Sequence, residues 1–391
     1  MIGIRFDRNE LAGAFGDIGT DFPLITGMIL ASGMNPAAVL TIFGALQIAS
    51  GLLYRMPMPV QPLKAVAALA IAGNLAPETI MGGGLAIGIV MLVLVATGLI
   101  NWCARVIPKP VIRGIQFGLG LKLALLAMGN YMLRDGWSGA VLAALSFGFI
   151  VYFLGHRRYP PAILVIGLGL LYALLFRNPA AAGALTPGFV LPTLRVPAAH
   201  DIWQGFLLLA LAQIPLSLGN SVLATQQIAH DLYPERNITV RRIGLSFSLF
   251  NIVAPFFGGI PVCHGSGGIA GHHTFGGRTG GSVLLYGGFY LLIGLCFSRG
   301  FGQIINFFPM PVLGVILLFE GLLLMRFISD TVTDHVAFPL ALLVGLAAAG
   351  LPYGFLIGLV GGTLLDILAR RFNLGLFAVP THIQTKREKQ P

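Results

Sequence analysis

Two stretches of unusual composition interrupt an otherwise apolar chain. The first reads Met56-Pro-Met-Pro-Val-Gln-Pro-Leu-Lys64 and the second reads Pro261-Val-Cys-His-Gly-Ser-Gly-Gly-Ile-Ala-Gly271. The prolines exclude a regular helix at the start of the first stretch, while Pro62 suits the first turn of a following helix. Ser266 is a suitable cap for a second helix. A full crossing needs about 20 residues, so each stretch predicts an extended segment followed by a half-helix.

The N-termini of these two half-helices are predicted to face each other near the membrane midplane. Each end offers N–H donors without partners and a partial positive charge, which together favour an anion. Gly265, Gly267 and Gly268 let the backbone approach a ligand closely. Irregular polar backbone at membrane depth is stable only where protein or a water-filled cavity satisfies it. Paired breaks in two halves of a chain indicate the substrate site of a transporter.

Lys64 places a positive charge at the start of the first half-helix. A lysine near the bilayer centre costs roughly 2.5–3.5 kcal/mol on insertion scales, whereas one helix terminus stabilises an anion by only about 0.3–1 kcal/mol. The ammonium is therefore the larger single attraction for a bound dianion. Two alternatives stay open from the sequence: Lys64 pairs permanently with Asp17 or Asp21, or it extends to a membrane surface.

The first predicted span contains two carboxylates, Asp17 and Asp21. They lie four residues apart and therefore share one face if the segment is helical. We consider them candidates for proton coupling or for partners of Lys64. The alternative is a capping role at the inner membrane surface.

Other polar residues at membrane depth each allow two interpretations. His264, in the second break, donates to an oxyanion, titrates during transport or is satisfied by neighbouring backbone; the sequence leaves these interpretations open. Asn220 and Gln213 offer neutral contacts to a substrate or hydrogen bonds between helices. Glu320 and Lys122 occupy matching spans of the two halves, so they either pair with each other or Glu320 carries a coupled proton.

The composition is that of an all-α polytopic membrane protein. Of 391 residues, 56% are hydrophobic and only 10% are charged, whereas soluble proteins carry about 25% charged residues. The segments do not alternate as in outer-membrane barrels, and the cysteines and histidines lack the spacing of a disulfide framework or metal site. The net charge of +10 lies in short loops between spans, which argues against a nucleic-acid partner. We expect no cofactor and no metal.

Hydropathy predicts about fourteen crossings or partial crossings, of which the third and tenth contain the two breaks. The predicted spans are 11–32, 36–53, 59–74, 84–104, 110–129, 138–155, 161–176, 203–226, 240–258, 261–276, 282–298, 303–325, 335–350 and 353–370. Most of the 24 Lys and Arg residues then fall on one side, which predicts that both termini are cytoplasmic. An outer connecting loop at 177–202 and a short cytoplasmic tail at 372–391 complete the predicted organisation.

Three short motifs recur in the same order in residues 1–176 and 203–371. The recurring pairs are Phe22-Pro23-Leu24 with Ile214-Pro215-Leu216, Met58-Pro59-Val60 with Ile260-Pro261-Val262, and Pro108-Lys-Pro110 with Pro309-Met-Pro311. Such self-similarity indicates an internal repeat. Because seven is an odd number of crossings, two seven-span copies must have opposite orientation, which is typical of inverted-repeat transporters.

Three motifs resemble the molybdate transporter family, distant relatives of the sulfate permeases. They are Phe15-Gly-Asp-Ile-Gly-Thr-Asp-Phe-Pro23, Val60-Gln-Pro-Leu-Lys-Ala65, and the stretch Pro261 to Gly271 with Phe275-Gly-Gly-Arg-Thr-Gly280. The resemblance implies seven-plus-seven inverted repeats that form a core domain and a gate domain. It also implies a substrate between the third and tenth spans, next to the first and eighth.

From the breaks and the resemblance together, we predict two sets of functional residues. The substrate-binding set is Asp17, Gly19, Thr20, Gln61, Lys64, Asn220, His264, Gly265, Ser266, Gly267 and Gly268. The coupling candidates are Asp17, Asp21 and Glu320.

These observations predict a secondary active transporter of a tetrahedral oxyanion, molybdate first and sulfate second, that works by alternating access. The chain contains no Gly-x-x-x-x-Gly-Lys-Ser/Thr loop for ATP, and no nucleophile–base pair that would indicate an enzyme. The alternatives are a nucleobase or bicarbonate carrier of the same fold, or an anion channel. We expect the protein to lie in a bacterial-type inner membrane, in contact with lipid. Proton coupling and a homodimer are both compatible with this interpretation.

Overall fold

The computed structural model describes residues 3–100, 102, 106–153, 161–177, 187–298 and 308–372. Helices dominate this part of the chain. They are α1 (Arg8–Ala14), α2 (Ile18–Ser32), α3 (Pro36–Tyr54), α4 (Lys64–Gly73), α5 (Pro77–Ala96), α6 (Lys109–Leu126), α7 (Gly136–Phe153), α8 (Pro161–Tyr172), α9 (Ala199–Leu232), α10 (Val240–Phe256), α11 (Ser266–Thr274), α12 (Gly281–Cys296), α13 (Met310–Arg326), α14 (Ala337–Gly350) and α15 (Gly354–Phe372). Two short strands, β1 (Val60–Pro62) and β2 (Val262–His264), precede α4 and α11.

The described helices are those of an integral membrane protein. Six of them are long and apolar enough to cross a bilayer, and four more apolar helices are shorter. The six are Pro36–Tyr54, Pro77–Ala96, Lys109–Tyr131, Gly136–Phe153, Ala199–Leu232 and Met310–Thr331. The total of fourteen crossings stays a prediction. Residues 303–307 and 373–391, parts of the predicted twelfth span and of the tail, lie outside the described residues.

Two predicted spans differ from the observed helices. The first, 11–32, is not continuous, because α1 ends at Ala14 and α2 begins at Ile18. The fourth was predicted at 84–104, yet the helix covers Pro77–Ala96. The glycines at 82–84 lie inside α5, before or at the predicted start of the span. Glycine is needed at these positions because a Cβ on Gly82 would overlap the backbone of α9, and a Cβ on Gly83 would overlap a leucine of α9.

The helices pack in two groups. In the first group, α3 packs along α12, α5 packs along α10 and the start of α9, and α2 packs on α4. In the second group, α6 packs on α13 and α14, and α14 on α15. Fewer contacts join the groups, chiefly α4 with α6 and α2 with α13. Small residues allow the close helix contacts: a Cβ on Gly44 of α3 would lie 2.5 Å from the backbone nitrogen of Leu291 in α12.

A buried carboxylate fixes the start of the first span to α12. Glu10 is 1% exposed, and its oxygens accept hydrogen bonds from the backbone N–H groups of Arg278, Thr279 and Ser282 at 2.8–3.0 Å. These donors lie at the N-terminus of α12, where a negative charge is favourable. The contact therefore holds α1 against the start of α12.

Candidate functional site

The two interrupted spans cross at a short antiparallel strand pair. Val60 lies opposite His264, Gln61 opposite Cys263, and Pro62 opposite Val262. α4 begins at Lys64 and α11 at Ser266, directly after their strands. This is the extended segment and half-helix that the prolines and glycines of each stretch predict. Because the strands are antiparallel, the half-helices leave the crossing in opposite directions.

Side-chain amides from two other helices satisfy the outer edges of the strand pair. Gln47 of α3 donates to the Val60 carbonyl at 2.6 Å and accepts from the Val60 N–H at 2.8 Å. Asn251 of α10 makes the same pair of bonds with Val262, at 2.6 and 2.9 Å. Unpaired backbone groups are costly at membrane depth, so these amides stabilise the non-helical crossing.

Gln61 connects the crossing to the break in the first span. Its Nε2 donates to Asp17 Oδ2 at 2.5 Å, and both side chains are buried. Asp17 also lies against α11, since a Cβ on Gly268 would be 2.6 Å from its Oδ2. A Cβ on Gly265 would overlap the Gln61 amide. The missing side chains at Gly265 and Gly268 therefore leave room for the Gln61–Asp17 pair.

Lys64 has a carboxylate partner that the sequence did not predict. Its Nζ lies 3.5 Å from Glu320 Oε2, and Thr20 Oγ1 donates to Glu320 Oε1 at 3.1 Å. The predicted Glu320–Lys122 pair is wrong, because Lys122 Nζ instead lies 5.3 Å from the centre of the Phe355 ring.

The helix contact between α6 and α13 explains this correction. Gly120 and Gly321 meet backbone to backbone, since a Cβ on Gly120 would overlap the Gly321 carbonyl oxygen. The two helices approach closely at this point. The neighbouring side chains of Lys122 and Glu320 then extend to different surroundings, Lys122 beside Phe355 and Glu320 towards Lys64.

A cavity of about 320 Å³ lies beside Lys64 and the start of α11. Its lining residues come from both helix groups. They are Gln61, Lys64, Arg113, Gln213, Leu216, Asn220, Ser221, Ala224, Cys263, Gly265, Ser266, Gly267, Leu324 and Phe327. Six predicted residues are therefore brought together here, namely Gln61, Lys64, Asn220, Gly265, Ser266 and Gly267.

The two half-helix N-termini differ in how they are capped. Gln213 Oε1 accepts from the N–H groups of Ala65 and Val66 at 3.0 and 3.3 Å, so the first turn of α4 is already occupied. Ser266 does not act as the predicted cap of α11; the cap position is Gly265, which has no side chain to offer. The N-terminus of α11 therefore keeps its positive end directed at the cavity.

α9 deviates from α-helical geometry where it meets the cavity. A π-helical turn covers Ser217–Leu223 and contains Asn220 and Ser221, both of which line the cavity. Pro215, just before it, lacks an N–H and cannot complete the helical hydrogen bonding. Local π-helical turns often occur at functional sites, and this signal was not used in the sequence prediction.

His264, Asp17, Gly19, Thr20 and Gly268 do not line the cavity. His264 is fully buried, with Nε2 at 2.8 Å from Ser246 Oγ and its ring against Tyr54 and Phe250. The ring is thus held by the side chains of its neighbours and not by backbone as in the alternative interpretation, and its Nδ1 has no hydrogen-bond partner among the described residues. Asp17 contacts the cavity residue Gln61, and Thr20 contacts Glu320, which pairs with the cavity residue Lys64.

Asp21 also lies away from the cavity, in a buried cluster with tyrosines. Its Oδ2 accepts from Tyr286 OH at 3.0 Å, and Tyr286 OH lies 3.2 Å from Tyr290 OH. The other oxygen, Oδ1, is buried and has no hydrogen-bond partner among the described residues. Asp21 is therefore neither a surface cap nor the direct partner of Lys64.

Arg113 is a cavity residue that is absent from the predicted substrate-binding set. Its guanidinium makes a bidentate contact with Asp330, with the shortest distance 2.7 Å from Nη2 to Oδ2. It also donates to Gln116 Oε1 at 2.9 Å and lies over the Phe327 ring. Both cations that line the cavity, Lys64 and Arg113, are thus held by carboxylates of α13 or the turn that follows it.

Sequence comparison finds molybdate transporters. Residues 9–123 and 205–324 match the family described as "Molybdate transporter of MFS superfamily". The chain is 31% identical to Molybdate transporter 2 of Arabidopsis thaliana, covering 98% of this chain and 91% of that protein. It is 32% identical to Molybdate transporter 1 of Arabidopsis thaliana, with coverage of 94% and 89%. Molybdate transporter 1 of Chlamydomonas reinhardtii is 28% identical, with coverage of 90% of each protein.

Structure comparison finds anion transporters of one fold. The transmembrane domain of the cyanobacterial bicarbonate transporter BicA matches with a TM-score of 0.65 and 18% identity, covering 89% of this chain and 98% of that domain. Murine Solute Carrier 26 family member A9, an anion transporter in the inward-facing state, matches with a TM-score of 0.70 and 12% identity, covering 95% of this chain and 70% of that one. At these identities the likeness concerns the fold.

Proposed function

Because this chain belongs to the molybdate transporter family, we propose that it is a secondary active transporter of a tetrahedral oxyanion, molybdate first and sulfate second. The observation that carries this proposal is the cavity beside Lys64 and the uncapped start of α11. An ammonium group and an uncapped helix N-terminus both favour a negative ligand. Ser266 and Asn220 add neutral polar groups that suit oxyanion oxygens.

We propose that the two helix groups are a core and a gate that move relative to each other. The cavity lies between them, since Lys64, Asn220 and Ser266 belong to the first group and Arg113 and Phe327 to the second. A substrate bound at such a boundary becomes accessible from the other side when one group moves against the other, which is alternating access. The first group, with both half-helices, is the proposed core.

The proposed inverted repeat is supported by duplicated contacts. Under this repeat, α3 corresponds to α10 and α12 to α5, so the extensive packing of α3 on α12 and of α10 on α5 is one contact occurring twice. The strand register is also symmetric about the Gln61–Cys263 pair. Gln47 and Asn251 hold the two strands through matching amide bonds. A two-fold axis in the membrane plane accounts for all three observations.

Orientation and location remain part of the proposal. With both termini in the cytoplasm, Arg113 lies towards the cytoplasmic side, and so does the part of the cavity that it lines. An inner membrane of bacterial type, a homodimer and coupling to protons stay predictions.

The function is tested by uptake into liposomes that contain the purified full chain. We expect saturable uptake of radiolabelled molybdate, competition by tungstate and weaker competition by sulfate. Bicarbonate and uracil serve as competitors for the alternative carriers of the same fold. Absence of saturable oxyanion uptake under every gradient tested rejects the proposal, and flux that increases linearly with concentration would indicate a channel.

A further inference from the structure

The carboxylate of Glu320 contacts two side chains, Lys64 and Thr20, that the sequence analysis predicted to bind the oxyanion. One oxygen lies 3.5 Å from Lys64 Nζ and the other accepts from Thr20 Oγ1 at 3.1 Å. Glu320 belongs to α13 in the second helix group, whereas Thr20 in α2 and Lys64 in α4 belong to the first. The contact therefore joins the two groups that we propose to move.

Lys64 lies between this carboxylate and the cavity. The Lys64 side chain is 36% exposed and lines the cavity, while the Glu320 side chain is only 8% exposed and does not. An anion that enters the cavity thus meets an ammonium whose charge is already balanced by a carboxylate on its far side. Full attraction to the anion requires that Glu320 lose its charge or move away.

The neighbouring ionisable groups make it unfavourable for all the carboxylates to be charged while an oxyanion is bound. Asp17, Asp21 and Cys263 are the other ionisable groups that interact electrostatically with Lys64, and the two aspartates also interact with Glu320. The charged residues of α6, the helix packed against α13, are engaged elsewhere: Arg113 and Lys109 contact Asp330, and Lys122 lies by Phe355. Three carboxylates therefore face one ammonium, and a dianion would add two further negative charges.

Of these three carboxylates, Glu320 is the one that contacts Lys64 among the described residues. Asp17 accepts from the Gln61 amide and Asp21 from the Tyr286 hydroxyl, both neutral donors. Protonation of Asp17 or Asp21 would leave the Lys64–Glu320 pair in place. Protonation of Glu320 removes the negative charge from that pair directly.

We propose that Glu320 is the proton-coupling residue of the transporter and a resident counter-ion of Lys64. In its charged form it holds Lys64 and Thr20 and keeps the oxyanion out; a proton taken from water onto its carboxylate releases the ammonium to the oxyanion. One proton then enters the site with each oxyanion. This inference rests on the proposed function and adds the coupling ion and its acceptor.

The test measures equilibrium binding of labelled sulfate and molybdate to the purified full chain between pH 5.5 and 8.5. Sulfate is included because its own charge does not change over this range. If one proton is taken up per anion, affinity falls about tenfold for each unit by which the pH is raised. Glu320→Gln, a neutral isostere, should bind at high pH as tightly as the wild type does at low pH, with a flat profile.

Two further carboxylate-to-amide variants are measured as controls for Glu320→Gln. Glu78→Gln removes an exposed carboxylate at the start of α5 and should keep the wild-type slope. Asp21→Asn neutralises the buried carboxylate beside Tyr286 and should also keep a slope, because Glu320 is still present. A flat profile for Asp21→Asn with an unchanged slope for Glu320→Gln would move the coupling role to Asp21 and overturn the proposal.

A second measurement needs no variant and covers the case in which Glu320→Gln does not fold. Adding sulfate to the wild-type protein in weakly buffered solution should remove about one proton per bound anion from the medium, read with a pH dye. Binding without proton uptake, or binding that is independent of pH, refutes the role of Glu320 but leaves the transport function intact. Absence of oxyanion binding at every pH refutes the function itself.

Discussion

Gly265 provides the most direct test of how the site is built. Gly265→Ala adds one methyl group at the junction of β2 and α11, where its backbone φ of −106° is acceptable for alanine. The new Cβ would overlap Oε1 and Cδ of Gln61, so that side chain must leave its position. Its hydrogen bond to Asp17, at 2.5 Å, is then lost.

The size of the effect follows from that bond. A hydrogen bond to a charged group contributes about 1.5–3 kcal/mol, and a factor of ten in affinity corresponds to about 1.4 kcal/mol. Gln61 already lines the cavity, so its displaced side chain can enter the space that the anion would occupy. Because the anion must then displace this side chain, at a cost comparable to the lost bond, we expect oxyanion affinity to fall by roughly 10- to 100-fold, measured by titration calorimetry or labelled-ligand binding to the purified protein.

Two alanine substitutions on other glycines serve as controls. Gly288→Ala in α12 meets no atom within 4 Å and should leave binding unchanged while slightly raising thermal stability. Gly267→Ala also meets no protein atom within 4 Å, but it lines the cavity, so it should weaken binding without lowering stability if the anion rests on α11. Wild-type affinity in a folded Gly265→Ala protein would refute the role assigned to Gln61 and Asp17.

Two further predictions concern side chains of the cavity. Lys64→Ala should weaken oxyanion binding by at least about tenfold, since it removes a full charge from the cavity. Lys122→Ala, which changes a lysine beside Phe355, should alter the affinity less than about threefold. Equal, small effects of the two substitutions in a binding titration would show that Lys64 is not part of the site. In a background with Cys103→Ser and Cys296→Ser, molybdate should slow the labelling of Cys263 by a small thiol reagent, because Cys263 lines the cavity. Labelling is read by mass spectrometry. A labelling rate that molybdate does not change would show that the substrate does not bind in this cavity.

The sequence alone determined the features that depend on local backbone chemistry and composition. Pro59, Pro62 and Pro261 cannot donate backbone hydrogen bonds, and glycine, as at Gly265, disfavours a helix, so an uninterrupted helix through either stretch is unfavourable. Both extended segments and both half-helices follow from these properties. The apolar composition likewise settled that the chain spans a membrane, since such runs cannot be solvated by water.

Local patterns also misled where a residue type has more than one use. The fourth span was predicted to begin at residue 84, whereas α5 begins at Pro77 and contains the glycines at 82–84, against which α9 packs. Ser266 was read as a helix cap, yet it is the first residue of α11. A glycine can end a helix or allow a close helix contact, and the sequence near it does not distinguish the two uses.

The partners of the charged groups were decided only by the tertiary structure. Lys64 meets Glu320, and Gln213 caps α4, across separations of 256 and 148 residues. These contacts depend on which helix faces turn towards each other, which the backbone contact of Gly120 with Gly321 sets for α6 and α13. Local propensity and periodicity fix the elements, whereas the register between packed helices arises from the close packing of the whole core.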